Sequence, residues 1–479
     1  MILDLLPASF WFAAASICVG LVISATQIRR GIGIPMIIVL ITIVFWYVGD
    51  VFYNDYVHIH MELFERSILE EAWVQVAVFI TIFVLLAPIA NRIMNHRAIA
   101  GGSQIIRLTP AIVASDSFQS TLDKLLRIVA FTWVVIIIAA SLRYQKDILY
   151  YFFPFVGIHP GPWAVNGLGS GFDAFWSLMN YLQLMVGSLF GVIAALSQRP
   201  RTRRLALAGV LLTWPFYIFD RTRKFILLIA VPGIASWAFF RLSGSIAKKL
   251  TILILAGLIV NGWFGFIIST RQQGSISEAF ESNKFSFSKA SRAEHQGLNM
   301  YEELSWIIRL RGSGVFNPEP GANYFANLVN PVPRFLWPDK PTIGLDYARA
   351  RGLGGGEGAA GVYATLSDGL IGQGVMNFGL YAGPAFAALL MAFWAAWLSR
   401  IDLHLKRTGY LPLYALGLII TFTMGRDITL LEAYPFVFGY LICGHLHRTT
   451  RPNRKRAPLV PDPRRVEPRR PISPLKPPE

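Results

Sequence analysis

The sequence predicts an all-α polytopic membrane protein with about eleven transmembrane helices, and three observations lead to this fold class. First, 54% of the 479 residues are hydrophobic and the mean hydropathy is +0.48. Second, charged residues make up only 15% of the chain, whereas about 25% is usual in soluble proteins. Third, apolar runs long enough to cross ~30 Å of hydrocarbon recur along the chain. Because unpaired backbone groups are costly in lipid, these runs are expected to be helices.

Eleven apolar runs are predicted to span the membrane, and a long polar segment separates the eighth run from the ninth. They lie near residues 8–28, 34–53, 72–93, 126–142, 175–197, 205–219, 225–240, 250–269, 374–398, 408–424 and 429–446. The pattern divides the chain into four parts. These are a bundle of eight spans (1–269), a long outer loop (270–373), three further spans (374–447) and a tail (448–479).

The net charge of +16 is explained by membrane topology. Arg29 and Arg30 follow the first span, and short basic segments such as QRPRTRR (198–204) separate later spans. Basic residues favour the cytoplasmic side, which places the N-terminus outside and the C-terminus inside. The tail at 448–479 is rich in proline and basic residues and is expected to be disordered. The lipid bilayer is therefore the expected partner of the basic residues, and nucleic acid is not.

Two arginines in FDRTRK (219–224) form the first candidate binding site. The motif joins the sixth and seventh spans on the predicted outer side, where cations oppose the usual charge bias. Arg221 and Arg223 can grip a phosphate or pyrophosphate with the planar fork of a guanidinium. The alternatives are a cluster that faces lipid headgroups and a re-entrant hairpin, since both flanking spans are short.

Arg426 in GRDITLLE (425–432) is a second candidate, because it lies in a short turn at the outer end of the tenth span. An arginine at this depth can complete an anion site. The alternative is a buried ion pair with Asp427 between helices.

The segment PRFLWPDKP (333–341) is predicted to form a stiff strap within the long outer loop. Each proline fixes φ and favours an extended residue before it. Trp337 suits the lipid interface, so Arg334 and Lys340 are expected near the headgroups, at the rim of an anion site. The alternative is a structural clamp that pins the loop onto the bundle.

Two residues of the outer loop are candidates for acid–base chemistry. His295 lies on a predicted helix at 292–314, and Glu357 lies in the glycine-rich run GEGAAG (356–361). The alternatives are an ordinary surface histidine and a flexible hinge.

No metal and no nucleotide cofactor are expected. His58, His60 and Glu62 in HIHME alternate along the chain without a fourth ligand, so a solvated outer loop is the preferred interpretation. GEGAAG has the letters of a dinucleotide-binding motif, but no predicted strand precedes it.

Four motifs together resemble a known family. The long outer loop carries PR-x-x-WP-x-KP (333–341), and DRTRKFILL (220–228) places arginines before an apolar helix. GQGVMNFGLYAGP (372–384) opens the next span, and GRDITLLE forms a late turn. Over roughly residues 215–440, the chain resembles the bacterial oligosaccharide repeat-unit polymerases, the Wzy-type O-antigen polymerases. Thr222 and Asp427 stand where that family often has glycine beside its arginines.

The resemblance implies a GT-C-like helical bundle in the bacterial inner membrane, with a periplasmic N-terminus. Such an enzyme polymerises oligosaccharide repeat units carried on undecaprenyl pyrophosphate, as a metal-independent inverting glycosyltransferase. A chain-length regulator protein is an expected partner. The arginines would stabilise the leaving pyrophosphate, and a histidine or carboxylate would accept the proton of the attacking hydroxyl. The alternatives are an O-antigen ligase that uses the same donor and a flippase or transporter of lipid-linked sugars.

Overall fold

The computed structural model describes most of the membrane-type segments and part of the long polar loop. The described ranges are 6–49, 56–100, 113–144, 173–218, 223–269, 299–317, 319–329, 332, 336–341, 345–352, 367–404, 410–428 and 430–450.

Every regular element in these ranges is helical, as the sequence predicts. A 3₁₀ turn at Ile28–Arg30 follows α1, and α2 continues into a π-helical turn at Val44–Gly49. The α-helices are α1 Ala8–Thr26, α2 Gly33–Ile43, α3 Tyr56–Leu63, α4 Arg66–Ala100, α5 Asp116–Tyr144, α6 Asp173–Leu196, α7 Pro200–Ile218, α8 Arg223–Phe240, α9 Ile246–Ser269, α10 Met300–Gly312, α11 Ala322–Val329, α12 Leu345–Ala350, α13 Leu370–Phe378, α14 Ala382–Asp402, α15 Tyr410–Thr423 and α16 Leu430–Thr450.

The apolar helices confirm a membrane-embedded protein at the level of length and composition. Among the described residues, four helical stretches are long and apolar enough to cross a bilayer, namely Ala8–Thr26, Arg66–Arg97, Asp116–Leu142 and Ala382–Asp402. Shorter apolar helical stretches are Gly33–Gly49, Leu182–Leu196, Leu228–Ala238, Leu413–Thr423 and Phe436–His445. Large apolar side chains such as Leu142, 77% exposed, point away from the bundle, which suits contact with lipid.

Polar contacts join the ends of α1, α4 and α14 at one end of the bundle, which we call the Arg30 end. The Asn91 amide donates to the Arg30 carbonyl at 3.3 Å, and the Asn95 amide donates to the Ala396 carbonyl at 3.0 Å. A similar polar cluster joins the start of α5 to the end of α6. There the Gln119 side chain bonds backbone groups of Leu196 and Gln198.

The opposite end, which we call the Arg426 end, is where the described part of the long loop lies. Asn299 caps α10 by accepting hydrogen bonds from the backbone of the first turn. The Tyr301 hydroxyl donates to the Leu69 carbonyl of α4 at 3.0 Å, and its ring stacks on Trp73. Helix α10 therefore docks against α4 and is continuous with the hydrophobic core.

The end of α2 connects distant parts of the chain. In its π-helical turn, the buried Tyr47 hydroxyl accepts a hydrogen bond from the backbone of Ile371 at 2.9 Å. The neighbouring Trp46 donates to the Phe422 carbonyl at 2.9 Å. Because a π-turn inserts an extra residue into a helix and shifts the side chains beyond it, it sets the direction of these two rings.

The predicted span at 374–398 differs from the structure, where two helices cover it. Helix α13 ends at Phe378, the chain reverses through Gly379 (φ 80°) and Tyr381 (φ 61°), and α14 then begins. The reversal brings Gly374 of α13 and Gly383 of α14 together so closely that a methyl group added to either would overlap the other's backbone. Hydropathy does not detect this break because both helices are apolar.

We predict that Gly374→Ala lowers the free energy of unfolding by about 1–3 kcal/mol, the usual cost of overpacking a tight contact. Thermal unfolding of the purified protein in detergent measures the effect. The matched control is Gly257→Ala in α9, where a Cβ would meet nothing within 4 Å. Equal melting temperatures for Gly374→Ala and the control would contradict the close packing of α13 on α14.

Candidate functional site

The structure describes the side chains of two predicted site residues, Arg426 and Lys340. Arg223 begins α8, but its side chain lies outside the described part of the chain. Outside it altogether lie Arg221, Arg334, His295 and Glu357. Residues 451–479 of the predicted tail are also outside, while α16 continues to Thr450. The predicted helix at 292–314 is present from Met300 to Gly312.

Arg426 lies half-buried in the turn after α15, and it faces the start of α13. Its Nε donates to the Ser367 hydroxyl at 2.8 Å. In the same turn, the Gly425 carbonyl accepts a hydrogen bond from the backbone of Leu370 at 3.2 Å. The turn is therefore held against the first residues of α13, and the guanidinium has a fixed direction.

Lys340 corrects the expectation of an exposed rim position. It is only 4% exposed, and its Nζ donates to the Val332 carbonyl at 2.9 Å. The prolines of this segment have no backbone N–H to donate. The backbone carbonyls of the segment therefore need other hydrogen-bond donors, and the Lys340 ammonium is one of them. Lys340 thus connects the end of the strap to Val332, the residue just before its start. Trp337 packs edge-on against Phe325 of α11, with ring centroids 6.1 Å apart.

Side-chain amides connect the turn after α15 to α11 and α13. The Gln373 carbonyl oxygen accepts a hydrogen bond from the backbone of Ile428 at 2.9 Å, and its amide donates to Asn323 at 3.0 Å. The Asn377 side chain accepts from the backbone of Asn323 at 3.0 Å. Gln373 and Asn377 are buried, and buried amides are stabilising only when they are paired in this way.

The Asp368 carboxylate is connected to this network through Asn323, and the residue is only 5% exposed. Its Oδ2 accepts a long hydrogen bond, 3.4 Å, from the Asn323 amide. Burial raises the pKa of Asp368 well above its ordinary value, and the nearby charges of Asp427 and Glu303 raise it further. A carboxylate desolvated among other acids is typical of functional sites.

The Tyr324 hydroxyl lies close enough to Asp368 to be affected by its charge. Burial raises the pKa of this phenol, and Asp368 adds to the effect. Among the described residues the hydroxyl has no hydrogen-bond partner, although it is shielded from solvent. An unsatisfied buried hydroxyl costs free energy, so it is a position where a ligand group can bind.

A second buried carboxylate at the Arg426 end, Glu303, is fully compensated. It is 1% exposed, and Arg351 contacts both of its oxygens at 3.2 and 3.3 Å. The Tyr347 hydroxyl donates to the same carboxylate. The Arg351 guanidinium also lies over the Trp306 ring, 4.2 Å from its centroid. This cluster joins α10 to α12 and is structural.

The HIHME motif also differs from the expected solvated loop. It lies on α3, where His60 is buried beside Tyr301, and its Nε2 lies 3.7 Å from a Glu302 oxygen. Glu62 is exposed, and the His58 side chain is outside the described part. Within the described residues, no three His, Cys, Asp or Glu side chains converge in a way that could hold a metal ion.

Sequence reasoning identified Arg426 but missed Asp368, Asn323 and Glu303. One signal was available for Asp368, because the polar sequence SDG directly precedes the apolar helix α13. Asn323 and Glu303 carried no such signal, since asparagine and glutamate are common in polar loops.

We predict that Arg351→Gln destabilises the protein by ~3 kcal/mol at neutral pH, because it leaves Glu303 buried without a counter-charge. Burial raises the pKa of Glu303, and Arg351 opposes this effect. Without Arg351 the pKa rises further. Part of the lost stability should therefore return as the pH falls through this raised pKa and Glu303 becomes neutral. Thermal unfolding in detergent at a series of pH values measures both effects.

The matched control is Arg66→Gln, which breaks an exposed pair with Glu70 and should change the melting temperature little. The double variant Glu303→Gln/Arg351→Gln should regain much of the stability. If Arg351→Gln behaves like Arg66→Gln, the buried pair is not structural.

Comparison of the chain with protein-family models, with curated proteins and with solved structures gave no match in any of the three.

Proposed function

We propose that the protein polymerises oligosaccharide repeat units carried on undecaprenyl pyrophosphate, at the outer face of the bacterial inner membrane. The observation that carries the proposal is that Arg426, fixed by Ser367, lies beside the buried Asp368 at one end of a bundle of apolar helices. Transfer of a sugar from a lipid pyrophosphate requires a cation for the leaving group and a base for the acceptor, close to the bilayer.

The grouping of helix ends supports eleven crossings. A helix lies over each of the eleven predicted spans. Eleven crossings with the N-terminus outside put the ends of α1, α4 and α14 inside, and these ends meet at the Arg30 end. They put the end of α2 and the end of α15 outside, and these meet at the Arg426 end. We therefore propose an outward-facing Arg426 end, a GT-C-like bundle and a cytoplasmic C-terminus.

Arg426 supports the donor side of the reaction. As the bond between the sugar and the pyrophosphate breaks, negative charge grows on the leaving group, and a directed guanidinium stabilises it. The hydrogen bond to Ser367 uses Nε, so the fork of two Nη groups is the part that grips the anion. In this proposal Arg221, Arg223 and Arg334 complete the same site. The strap closed by Lys340 holds the loop over it. A chain-length regulator remains the proposed partner.

We predict that residues 270–373 and the C-terminal tail face opposite compartments. A reporter that is active only outside the cytoplasm should be active when fused after Gly314 and inactive when fused after Pro461. Gly314 lies in an exposed turn with open space around it, so an insertion there is tolerated. Activity in the same compartment at both positions would rule out eleven crossings.

We predict that Arg426→Lys is not a conservative change. Lysine keeps the charge but loses the planar fork, and loss of one directed donor to an oxyanion typically slows an enzyme by ~100-fold or more. The assay is the polysaccharide ladder of a deletion strain that carries each variant, with expression checked by blot. The matched control is Arg400→Lys, at an exposed position of the Arg30 end, which should restore the normal ladder.

The deletion strain itself distinguishes the possible functions. Single repeat units on the lipid core indicate a polymerase, whereas unligated polymer on the carrier indicates a ligase. Loss of all outer-face material indicates a flippase. A normal ladder from Arg426→Lys would remove Arg426 from the donor site.

A further inference from the structure

The two buried carboxylates at the Arg426 end differ in their surroundings. Glu303 receives three hydrogen bonds from Arg351 and Tyr347, and these satisfy its charge. Among the described residues, Asp368 receives one long side-chain hydrogen bond, from Asn323, and the neighbouring charge that raises its pKa most is that of another acid, Asp427. A buried carboxylate that keeps free acceptor capacity is suited to accept a hydrogen bond, and then a proton, from a ligand.

Two further polar groups lie in the neighbourhood of Asp368. The Asn323 side chain is positioned by Gln373 and Asn327, each with a 3.0 Å hydrogen bond to its Oδ1. Its Nδ2 points to Asp368. The Tyr324 hydroxyl, on the next residue of α11, has no partner among the described residues. An acceptor, an amide and a hydroxyl thus lie in one neighbourhood, and together they can bind a neutral hydroxyl group.

An aromatic surface lies beside this polar cluster. The Tyr324 ring stacks on Phe378 with ring centroids 6.2 Å apart, and it lies 5.4 Å from the Phe386 ring. Phe378 is 37% exposed, next to the reversal between α13 and α14. Polar groups that fix orientation next to an aromatic wall are the usual composition of a small-molecule site. A sugar ring has both an apolar face and polar hydroxyls, so it fits this combination.

We propose that Asp368, Asn323 and the Tyr324 hydroxyl bind the hydroxyl group of the acceptor sugar and that Asp368 removes its proton. The proposal rests on the function proposed above and names the acceptor side of that site. It assigns to Asp368 the step for which His295 and Glu357 were the candidates from the sequence.

The step is balanced without a metal or a further reactant. The acceptor oxygen forms a bond to the anomeric carbon of the donor as its O–H bond breaks, and the proton passes to the Asp368 carboxylate. The bond between the anomeric carbon and the pyrophosphate oxygen breaks, and its electron pair leaves with undecaprenyl pyrophosphate. Asp368 then returns the proton to water. Attack from the side opposite the leaving group inverts the anomeric centre.

The pH dependence of the reaction follows from the groups around Asp368. Those that face it from the packed elements are Asp427 and Arg426 on the turn after α15, Glu303 on α10, Tyr324 on α11, Tyr347 on α12 and Tyr47 at the end of α2. Burial and the acidic neighbours raise the pKa of Asp368. Only its deprotonated form accepts a proton, so the rate should fall as the pH drops through this raised pKa.

The experiment uses membrane vesicles from the deletion strain that carry the full-length wild-type protein or a variant. The probe is the carrier-linked repeat unit extracted from the same strain, and polymer formation is followed from acid to mildly alkaline pH. Asp368→Asn should lower kcat by ~100-fold or more and remove the decline on the acid side. Asp368→Glu should regain part of the rate together with the decline. Tyr324→Phe should raise KM more than it lowers kcat.

The control is Asp402→Asn, which removes a buried carboxylate at the opposite end, on α14, and should keep the wild-type pH profile. A wild-type rate from Asp368→Asn, or a slow rate with the acid decline unchanged, would overturn the assignment of Asp368. If wild-type vesicles form no polymer from the probe, the proposed function itself fails, and the proposal fails with it. These outcomes are distinct.

Discussion

The close contact between Gly374 and Gly383 is the constraint on which the candidate site depends. Without side chains at these positions, α13 can fold back directly against the start of α14. Asp368 and Gln373 are thereby carried to the end of the bundle, where the turn that contains Arg426 also lies. A wider separation would move α13 away from that turn and break the amide contacts between them.

The paired amides make the candidate site rigid, while one buried carboxylate, Asp368, is left open to chemistry. Buried amides that are fully paired restrict their neighbours to one arrangement, so Asn323 has a defined position. The two buried carboxylates, Glu303 and Asp368, differ in how the free-energy cost of burying their charge is offset. Glu303 is paired with Arg351, whereas the charges of Asp427 and Glu303 raise the pKa of Asp368. The first arrangement makes α10 and α12 a stable support, and the second leaves one group available for chemistry.

The sequence correctly predicted an all-helical chain with apolar helices, because the requirement for helical backbone in lipid is strong and depends on composition alone. It did not predict the reversal at Gly379 and Tyr381, since positive φ values do not alter hydropathy. The burial of Lys340 was also missed, because a lysine is usually exposed and the carbonyl that binds it is eight residues earlier. SDG marks a polar start to α13, but the contact of Asp368 with Asn323 joins segments 45 residues apart, which no local pattern encodes.

The π-helical turn of α2 has a consequence for biosynthesis. Tyr47 and Trp46 are translated long before their hydrogen-bond partners, Ile371 and Phe422, which are more than 300 positions later. During synthesis the end of α2 therefore cannot form these hydrogen bonds until α13 and α15 have been made and inserted. The candidate site is completed only at this last stage of assembly. A chain that stalls or is truncated before α15 would carry most of its membrane helices but would lack the turn that bears Arg426. Incomplete proteins would then lack a completed candidate site.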